Sequence, residues 1–200
     1  MVLRSLVVIV IVAFAAACDR GPSASADRAP LSPSALPASS SASTSANASA
    51  PGRQDIRVNM LDACDPATFN AVLGPGTCLR NGGMSFDQFI AQLTRLKFVG
   101  PWHFAPNNAN VEAGQTFVAL NLGGEVHTFT EVAQFGGGIV PRLNQLAGVP
   151  NVAPECRALE PDDFVAPGAS YREEIGGAGT HKFQCCIHPW MRLEAKAGSR

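Results

Sequence analysis

The sequence lacks any marked excess of charge. Its 200 residues include 15 Lys and Arg against 16 Asp and Glu, and loss of Arg4 with an N-terminal signal would change the formal net charge only from −1 to −2. Domains that bind nucleic acids instead carry a clustered positive surface. This composition therefore excludes DNA and RNA as expected partners.

Long hydrophobic runs are also scarce, and the clearest one lies at the N-terminus. It extends from Leu6 to Ala17 behind Arg4, is too short to span a bilayer comfortably, and is typical of an export signal. The run ends in three alanines before Cys18, which resembles a bacterial lipobox, so we expect removal of residues 1–17 and acylation of Cys18. The protein would then be lipid-anchored on the periplasmic or cell-surface face of a bacterial membrane. Ordinary signal-peptidase cleavage is the alternative and would leave Cys18 free.

The next segment, residues 18–52, is almost entirely Ser, Ala and Pro. It has little to bury, which predicts a flexible tether rather than a structured stalk. Residues 53–200 are long enough for one domain with a core. Within it we expect a helical segment over residues 53–98, packed on a β-domain over residues 99–200.

Two short helices are predicted in residues 53–98. Asp65 and Pro66 are typical of a helix start, and this helix should end at Leu73 before a Gly-Pro-Gly stop. Ser85 and Gln88 form a capping-box pattern before the second helix. The apolar side chains of that helix recur at helical spacing and should pack on the following domain. They are Phe86, Phe89, Ile90, Leu93 and Leu96.

Two cysteines flank the first predicted helix. In an oxidising compartment, a disulfide between Cys64 and Cys78 is the economical interpretation. Two unpaired thiols are the alternative.

After Gly100 the sequence changes to short apolar stretches separated by Gly, Pro and Asn, which predicts a β-domain. The larger aliphatic residues of segment 117–122 alternate, so Val118, Leu120 and Leu122 are predicted to share a core face. Further strands are predicted over Tyr171–Ile175, His181–Cys186 and Leu193–Ala197, and a weak helical period occurs near Arg142–Leu146.

Three soft or borderline metal donors lie close together near the C-terminus: Cys185, His188 and Met191. Together with a second imidazole, they would form the His₂Cys set with a weak axial Met that holds copper in both oxidation states. His127, just beyond the strand that ends near Leu122, is the candidate for that imidazole. We therefore expect one copper ion cycling between Cu(I) and Cu(II). The alternatives are a hydrogen-bonded structural role for His127 and a gap-filling role for Met191.

Strand parity distinguishes the two adjacent cysteines, because residues two apart point to the same face. Lys182, Gln184 and Cys186 share one face, which is expected to be polar. Phe183 and Cys185 share the inward face. Cys185 is therefore the predicted metal ligand.

Two further histidines are not predicted to bind metal. His181 has the parity of Cys185 but lies about 13 Å away along an extended strand. His103 lies between two aromatic residues without a spacing partner and is expected to be structural.

The spacing Cys185-x-x-His188-Pro-Trp190-Met191 resembles that of the cupredoxins, particularly amicyanin and plastocyanin-like domains. The resemblance covers roughly residues 99–197. It implies a mainly β, Greek-key sandwich of about eight strands, here carrying a short N-terminal helical segment. It also implies an electron carrier and not an enzyme. Many relatives have Asn after the first histidine, where this chain has Thr128.

The same resemblance implies that redox proteins dock near His188 and Trp190. Trp190 is expected either in the core or in an apolar rim around a partly exposed His188. Two cysteines fall outside the family pattern, Cys186 and, in the Gly- and Pro-rich insertion between Gln134 and Pro167, Cys156. We expect a disulfide between them.

The function predicted is single-electron transfer between redox partners by a periplasmic, lipid-anchored blue copper protein. A copper chaperone or buffer is the alternative, but such proteins favour Met- and His-rich sites and this chain has only four Met and four His. Four histidines are also too few for a multicopper oxidase. The adjacent cysteines do not fit a binuclear copper domain, which requires three residues between them. A metal-free scaffold is a further alternative.

Overall fold

A computed structural model describes residues 54–199 of the protein. The predicted signal and tether, including Cys18, lie outside these residues. Within residues 54–199, no helix combines the length and apolar character needed to cross a membrane.

The described residues form eight strands and three α-helices. The strands are β1 (Ile56–Leu61), β2 (His103–Ala105), β3 (Asn108–Glu112), β4 (Thr116–Asn121), β5 (Thr130–Glu131), β6 (Ser170–Glu174), β7 (Gly179–Gln184) and β8 (Arg192–Gly198). The helices are α1 (Pro66–Leu73), α2 (Phe86–Leu96) and α3 (Pro141–Ala147), and short 3₁₀ turns cover Glu155–Arg157 and Pro161–Asp163.

The strands form two mixed sheets of four, in the orders β2-β1-β4-β6 and β3-β8-β7-β5. The β1–β4 and β3–β8 pairs are parallel and the others are antiparallel. Aromatic rings join the sheets. Phe117 of β4 lies edge-on to Phe183 of β7 at 5.3 Å between ring centroids, and Phe129 stacks on Phe183 at 4.7 Å. The predicted mainly β sandwich with short helices is confirmed.

The predicted face of β4 is wrong. Phe117, Ala119 and Asn121 are buried, whereas Val118 and Leu120 are only half-buried and Leu122 is 38% exposed. Both faces of this strand carry apolar residues, so alternation of aliphatics alone did not identify the core face. The aromatic ring of Phe117 fills the space between the sheets, so Phe117 and the alternate residues Ala119 and Asn121 point towards the core.

The segment predicted to be helical over residues 53–98 contains a strand near its start, because residues 56–61 form β1, an inner strand of the first sheet. The two predicted helices follow it. Asp65 caps α1, and Ser85 and Gln88 make both hydrogen bonds of a capping box at α2. Phe89 and Leu93 of α2 are buried, while Leu96 in its last turn is 39% exposed. The N-terminal segment therefore contributes both a strand and a helical cover.

The outer face of β7, predicted to be polar, is exposed at Thr180 and half-buried at Lys182, but it is covered at its C-terminal end. Gln184 and Cys186 are fully buried beneath the insertion. The backbone N–H of Gly136 donates to the Gln184 side chain, and the Gln184 amide donates to the sulfur of Cys156. At Gly138 the backbones approach so closely that a Cβ would overlap the carbonyl of Cys186. The insertion therefore forms a second layer over this end of the sheet.

Candidate metal centre

Three potential metal donors converge at one end of the sandwich. The Cys185 sulfur lies 3.8 Å from Nδ1 of His127 and 3.9 Å from Nδ1 of His188. The three side chains offer donor atoms that all lie within 4.8 Å of one another, and His188, the most exposed of them, is only 3% exposed. A single ion placed between them would contact one thiolate and two imidazoles.

The loop after β7 is closed by its own backbone. The N–H of Cys185 donates to the carbonyl of Met191 at 3.0 Å, and the N–H of Met191 donates to the carbonyl of His188 at 2.9 Å. Met191 is fully buried in this loop. These hydrogen bonds within the loop hold Cys185 and His188 close to each other.

Two backbone N–H groups point at the Cys185 sulfur, those of Thr128 and His188, each at 3.4 Å. The hydroxyl of Thr128 accepts a 2.8 Å hydrogen bond from the N–H of Cys186. Thr128 therefore ties the segment carrying His127 to the segment carrying both cysteines. The two N–H groups directed at the Cys185 sulfur would influence the properties of a metal bound to it.

His127 is held by Asp62, a residue that the sequence analysis did not identify. Nε2 of His127 donates to Asp62 Oδ2 at 2.9 Å, which leaves Nδ1 facing the sulfur. Asp62 also accepts hydrogen bonds from the backbone N–H groups of Cys64, Gly124 and Glu125. A carboxylate behind a ligating histidine fixes the ring and increases its basicity. Asp62 lies directly after β1, and its 65-residue separation from His127 left no local motif to find.

The pKa values in this cluster follow from these contacts. Burial alone would raise the pKa of Asp62, but hydrogen bonds from His127 and two backbone N–H groups outweigh it and lower the pKa to about 2. Burial alone would lower the pKa of His127, but its hydrogen bonds with Asp62 and Cys185 raise it to about 9. Burial of the Cys185 thiol would raise its pKa, but hydrogen bonds with His127 and His188 lower it well below its ordinary value. These contacts favour the thiolate form of Cys185.

His188 has different neighbours. Its Nε2 lies 3.6 Å from Oε2 of Glu125, and that carboxylate oxygen accepts a 2.7 Å hydrogen bond from the indole of Trp102. Glu125 is buried, and burial raises its pKa despite the opposing effects of His188 and of the Trp102 hydrogen bond. Glu125 also was not identified from the sequence, although it lies two residues before His127.

Aromatic rings enclose His188. The ring of Trp190 lies 5.5 Å from it, that of Phe89 6.4 Å and that of Trp102 6.5 Å, between centroids. Trp190 is half-buried, and its indole Nε1 is buried with no hydrogen-bond partner among the described residues. His188 is therefore covered and not partly exposed, because α2 brings Phe89 against the ring.

The structure joins Cys64 to Cys78 and Cys156 to Cys186, the same pairs that the sequence analysis proposed. Among the described cysteines this leaves Cys185 as the free thiol. Cys64 also lies near the carboxylates of Asp62 and Glu125. Its sulfur is in a disulfide, so that group is not a thiolate site.

The other two histidines lie outside the centre. The exposed His103 contacts the carbonyls of Gly100 and Pro101. His181 contacts Glu131 Oε1 at 2.6 Å through Nδ1 and the carbonyl of Gly177 at 2.9 Å through Nε2. Both nitrogens of His181 face acceptors, an arrangement that suits a protonated ring.

The donors fit copper by their chemistry. A thiolate and two imidazoles are the ligands of His₂Cys copper sites, which also use a weak axial thioether. The cluster is buried, hydrogen bonds with two imidazoles favour the thiolate form of Cys185, and Asp62 orients the His127 ring. These features match what a site needs to hold copper without rearranging its ligands.

No protein-family model and no curated protein sequence matches the chain. The solved structures similar to it include a purple cupredoxin from Nitrosopumilus maritimus, with TM-score 0.41 and 12% identity over 72% of this chain and 100% of that chain. Plastocyanin from Dryopteris crassirhizoma has TM-score 0.34 and 17% identity over 48% and 89% of the two chains. A methionine-to-alanine mutant of amicyanin in the Cu(I) state has TM-score 0.32 and 17% identity over 46% and 70%. These neighbours are cupredoxins, the family that the C-terminal motif resembles.

Proposed function

We propose that the protein binds one copper ion through His127, Cys185 and His188 and transfers single electrons between redox partners. The observation that carries the proposal is the convergence of the three donors, with two backbone N–H groups already directed at the sulfur. Bound copper would supply the one-electron couple Cu(I)/Cu(II). The protein itself would hold the donors in place.

Rigidity of the ligand set supports electron transfer over delivery of the ion. His127 is fixed by Asp62, and Cys185 is fixed by its backbone bond to Met191. A site that keeps the same donors in both oxidation states loses little energy to rearrangement during electron transfer. A delivery site must instead open to release its ion, and these donors are buried.

Met191 is proposed as the weak axial ligand. Its side chain is fully buried, and its backbone closes the loop that carries Cys185 and His188. The thioether is a soft donor, and axial ligands of this kind set the potential of copper sites. Met191→Leu should therefore keep the copper and shift its potential, whereas loss of an equatorial ligand should abolish the site.

The exported, lipid-anchored location is likewise a proposal. Two disulfides within the described residues suit an oxidising compartment. Acylation at Cys18 would hold the domain at a bacterial membrane, on the periplasmic or cell-surface side. Mass spectrometry of the membrane fraction, with Cys18→Ala as the comparison, tests the anchor.

The copper proposal is tested by visible absorption of the mature protein titrated with Cu(II), then treated with ascorbate and reoxidised. We expect an intense thiolate-to-copper charge-transfer band that saturates at one equivalent, bleaches on reduction and returns. Cys185→Ser should remove the band, and His103→Gln, at an exposed histidine away from the cluster, should retain it. Tight Cu(I) binding without the band would favour copper delivery. No copper binding would contradict both functions.

A further inference from the structure

The enclosure of His188 raises the question of where electrons enter or leave. Its imidazole is 3% exposed, its Nε2 faces the buried Glu125, and its ring is covered by neighbouring aromatics. A redox partner therefore cannot contact this ring directly. A neighbouring group that reaches the surface must connect it to the outside.

Trp190 is the neighbour that reaches the surface. Phe89 and Trp102, the other two large rings around His188, are 2% and 1% exposed, whereas Trp190 is half-buried. Its ring lies 5.5 Å from that of His188 between centroids, the shortest separation of the three. It also lines a surface depression of about 360 Å³.

This depression lies where the end of α2, the end of α3 and the metal-binding loop meet. We call its lining the Trp190 face. It consists of Lys97, Phe98, Ala147, Val149, Trp190 and Arg192. Phe98 is 50% exposed, so the Trp190 face includes a second aromatic ring that solvent reaches.

The charge of the Trp190 face has one sign. Lys97 and Arg192 are the charged residues among the described ones that line it, and both are positive. Lys97 is exposed at the C-cap of α2, two residues after Arg95. Arg192 is held by a hydrogen bond from its Nε to the carbonyl of Pro189 and lies over the ring of Phe135. An apolar floor with a positive rim complements a negatively charged surface.

We propose that the Trp190 face is the docking surface for an acidic one-electron redox protein, and that the Trp190 ring connects this partner to His188. The inference rests on the proposed electron-transfer function and names the partner's chemistry. When the partner is the acceptor, one electron leaves Cu(I), which becomes Cu(II), and the oxidised centre of the partner is reduced by one electron. The step makes or breaks no bond of the protein and moves no proton.

The test measures oxidation of the Cu(I)-loaded mature protein by stopped-flow absorption, with two small probes of opposite charge. Hexacyanoferrate(III) represents an acidic partner and tris(phenanthroline)cobalt(III) a basic one. We expect the rate with the anionic probe to fall as salt increases, because screening weakens attraction to the positive rim. The rate with the cationic probe should rise or stay unchanged.

Reversal of the charge at Lys97 tests whether the probe docks on the Trp190 face. Lys97→Glu should slow oxidation by hexacyanoferrate(III) at low salt by roughly three- to tenfold, a fraction of the 10- to 1000-fold that a whole charged surface can contribute by electrostatic steering. Lys196→Glu is the matched control, since it makes the same charge change at an exposed residue of β8 outside the Trp190 face. Equal effects of the two substitutions would overturn the proposal.

Substitution of Trp190 tests whether its ring connects the redox partner to His188. Trp190→Leu should lose most of the rate with both probes, while Trp190→Phe should retain it because a ring remains next to His188. Unchanged rates in Trp190→Leu would overturn the proposal, and the Phe variant and Lys97→Glu keep it testable if the Leu variant does not fold.

The copper band is recorded on every sample. Absence of the band in the wild type would overturn the proposed function itself, and with it the docking proposal. A normal band with rates that none of these substitutions changes would overturn the docking surface alone.

Discussion

The two histidines of the centre lie at nearly the same distance from the Cys185 sulfur, 3.8 and 3.9 Å, but in different surroundings. His127 faces a carboxylate at 2.9 Å that also receives three backbone N–H groups. His188 faces a carboxylate at 3.6 Å and is otherwise enclosed by aromatic rings. We infer that the His127 side fixes the ligands, while the His188 side provides packing and a route to the surface.

The two carboxylates show the physical basis of this difference. Burial raises the pKa of an acid, and at Glu125 this effect is not overcome. At Asp62 the hydrogen bonds outweigh it and lower the pKa to about 2. A carboxylate surrounded by donors is kept charged and is suited to orient a histidine. A carboxylate with one indole donor is less strongly held in the charged form.

The largest predicted effect is a loss of stability, caused by a substitution among the aromatic rings on the His188 side. Phe89→Ala removes a ring that is 2% exposed and contacts Phe69, Trp102 and Trp190, so the free energy of unfolding should fall by about 3–5 kcal/mol. Denaturant unfolding of the metal-free protein measures it. Phe98→Ala, at a half-exposed ring, should cost much less. Equal losses in the two variants would show that α2 is not packed over His188 as described.

On the His127 side, we expect a substitution to change copper affinity. Asp62→Asn keeps the shape of the side chain but removes the charge behind His127, so copper affinity should fall by about 10–100-fold. Competition with a chelator measures this. The matched control is Asp55→Asn, which changes an exposed carboxylate paired with Arg172 and should have little effect. An affinity unchanged by Asp62→Asn would remove the distinction between the two sides.

A smaller change is expected at the corresponding carboxylate of the His188 side. The 3.6 Å separation is too long for a hydrogen bond, and the amide oxygen of Gln can still accept from Trp102. Glu125→Gln should therefore lower copper affinity by less than about tenfold, below the usual loss for a residue that orients a ligand. The same chelator competition measures it. A loss equal to that of Asp62→Asn would mean that both histidines are held in the same way.

The smallest effect concerns a histidine–carboxylate pair outside the centre. Burial alone would lower the pKa of His181, but its contacts with Gly177 and Glu131 raise it above 6.5. A raised pKa in the folded state stabilises the protein below about pH 6.5, and this contribution is lost as pH increases through the folded-state pKa. Because Glu131 is 39% exposed, the gain should be at most about 1 kcal/mol.

Comparison of unfolding for the wild type and His181→Gln between pH 5 and 9 measures this contribution. The difference should be greatest at the acidic end and should shrink towards the alkaline end, with copper affinity unchanged. A difference that grows with pH would contradict the assignment of a protonated ring.

The local parts of the centre could be predicted from the sequence, and the distant parts could not. Cys185 and His188 lie only three residues apart in the chain, and strand parity distinguished Cys185 from Cys186. Asp62 lies 65 residues from His127, and it approaches because β1 pairs with β4, a parallel pairing that no local pattern reveals.

The fold class was also predictable, because turn-rich apolar stretches indicate strands whatever their order. Which face of a strand is buried was harder, since Phe117 and Val118 offer apolar residues to opposite faces. The burial of Gln184 shows a related limit: a polar side chain indicates an exposed face only when no insertion covers it. Long-range packing, more than local propensity, determined these features.

The central claim is that one thiolate and two imidazoles hold the same ion in both oxidation states. X-ray absorption at the copper edge of the Cu(II)- and Cu(I)-loaded mature protein tests it most directly. We expect one short sulfur and two nitrogen ligands in both states, with the sulfur absent in Cys185→Ser. Loss of a nitrogen ligand on reduction, or a wild-type site without a short sulfur ligand, would contradict the account.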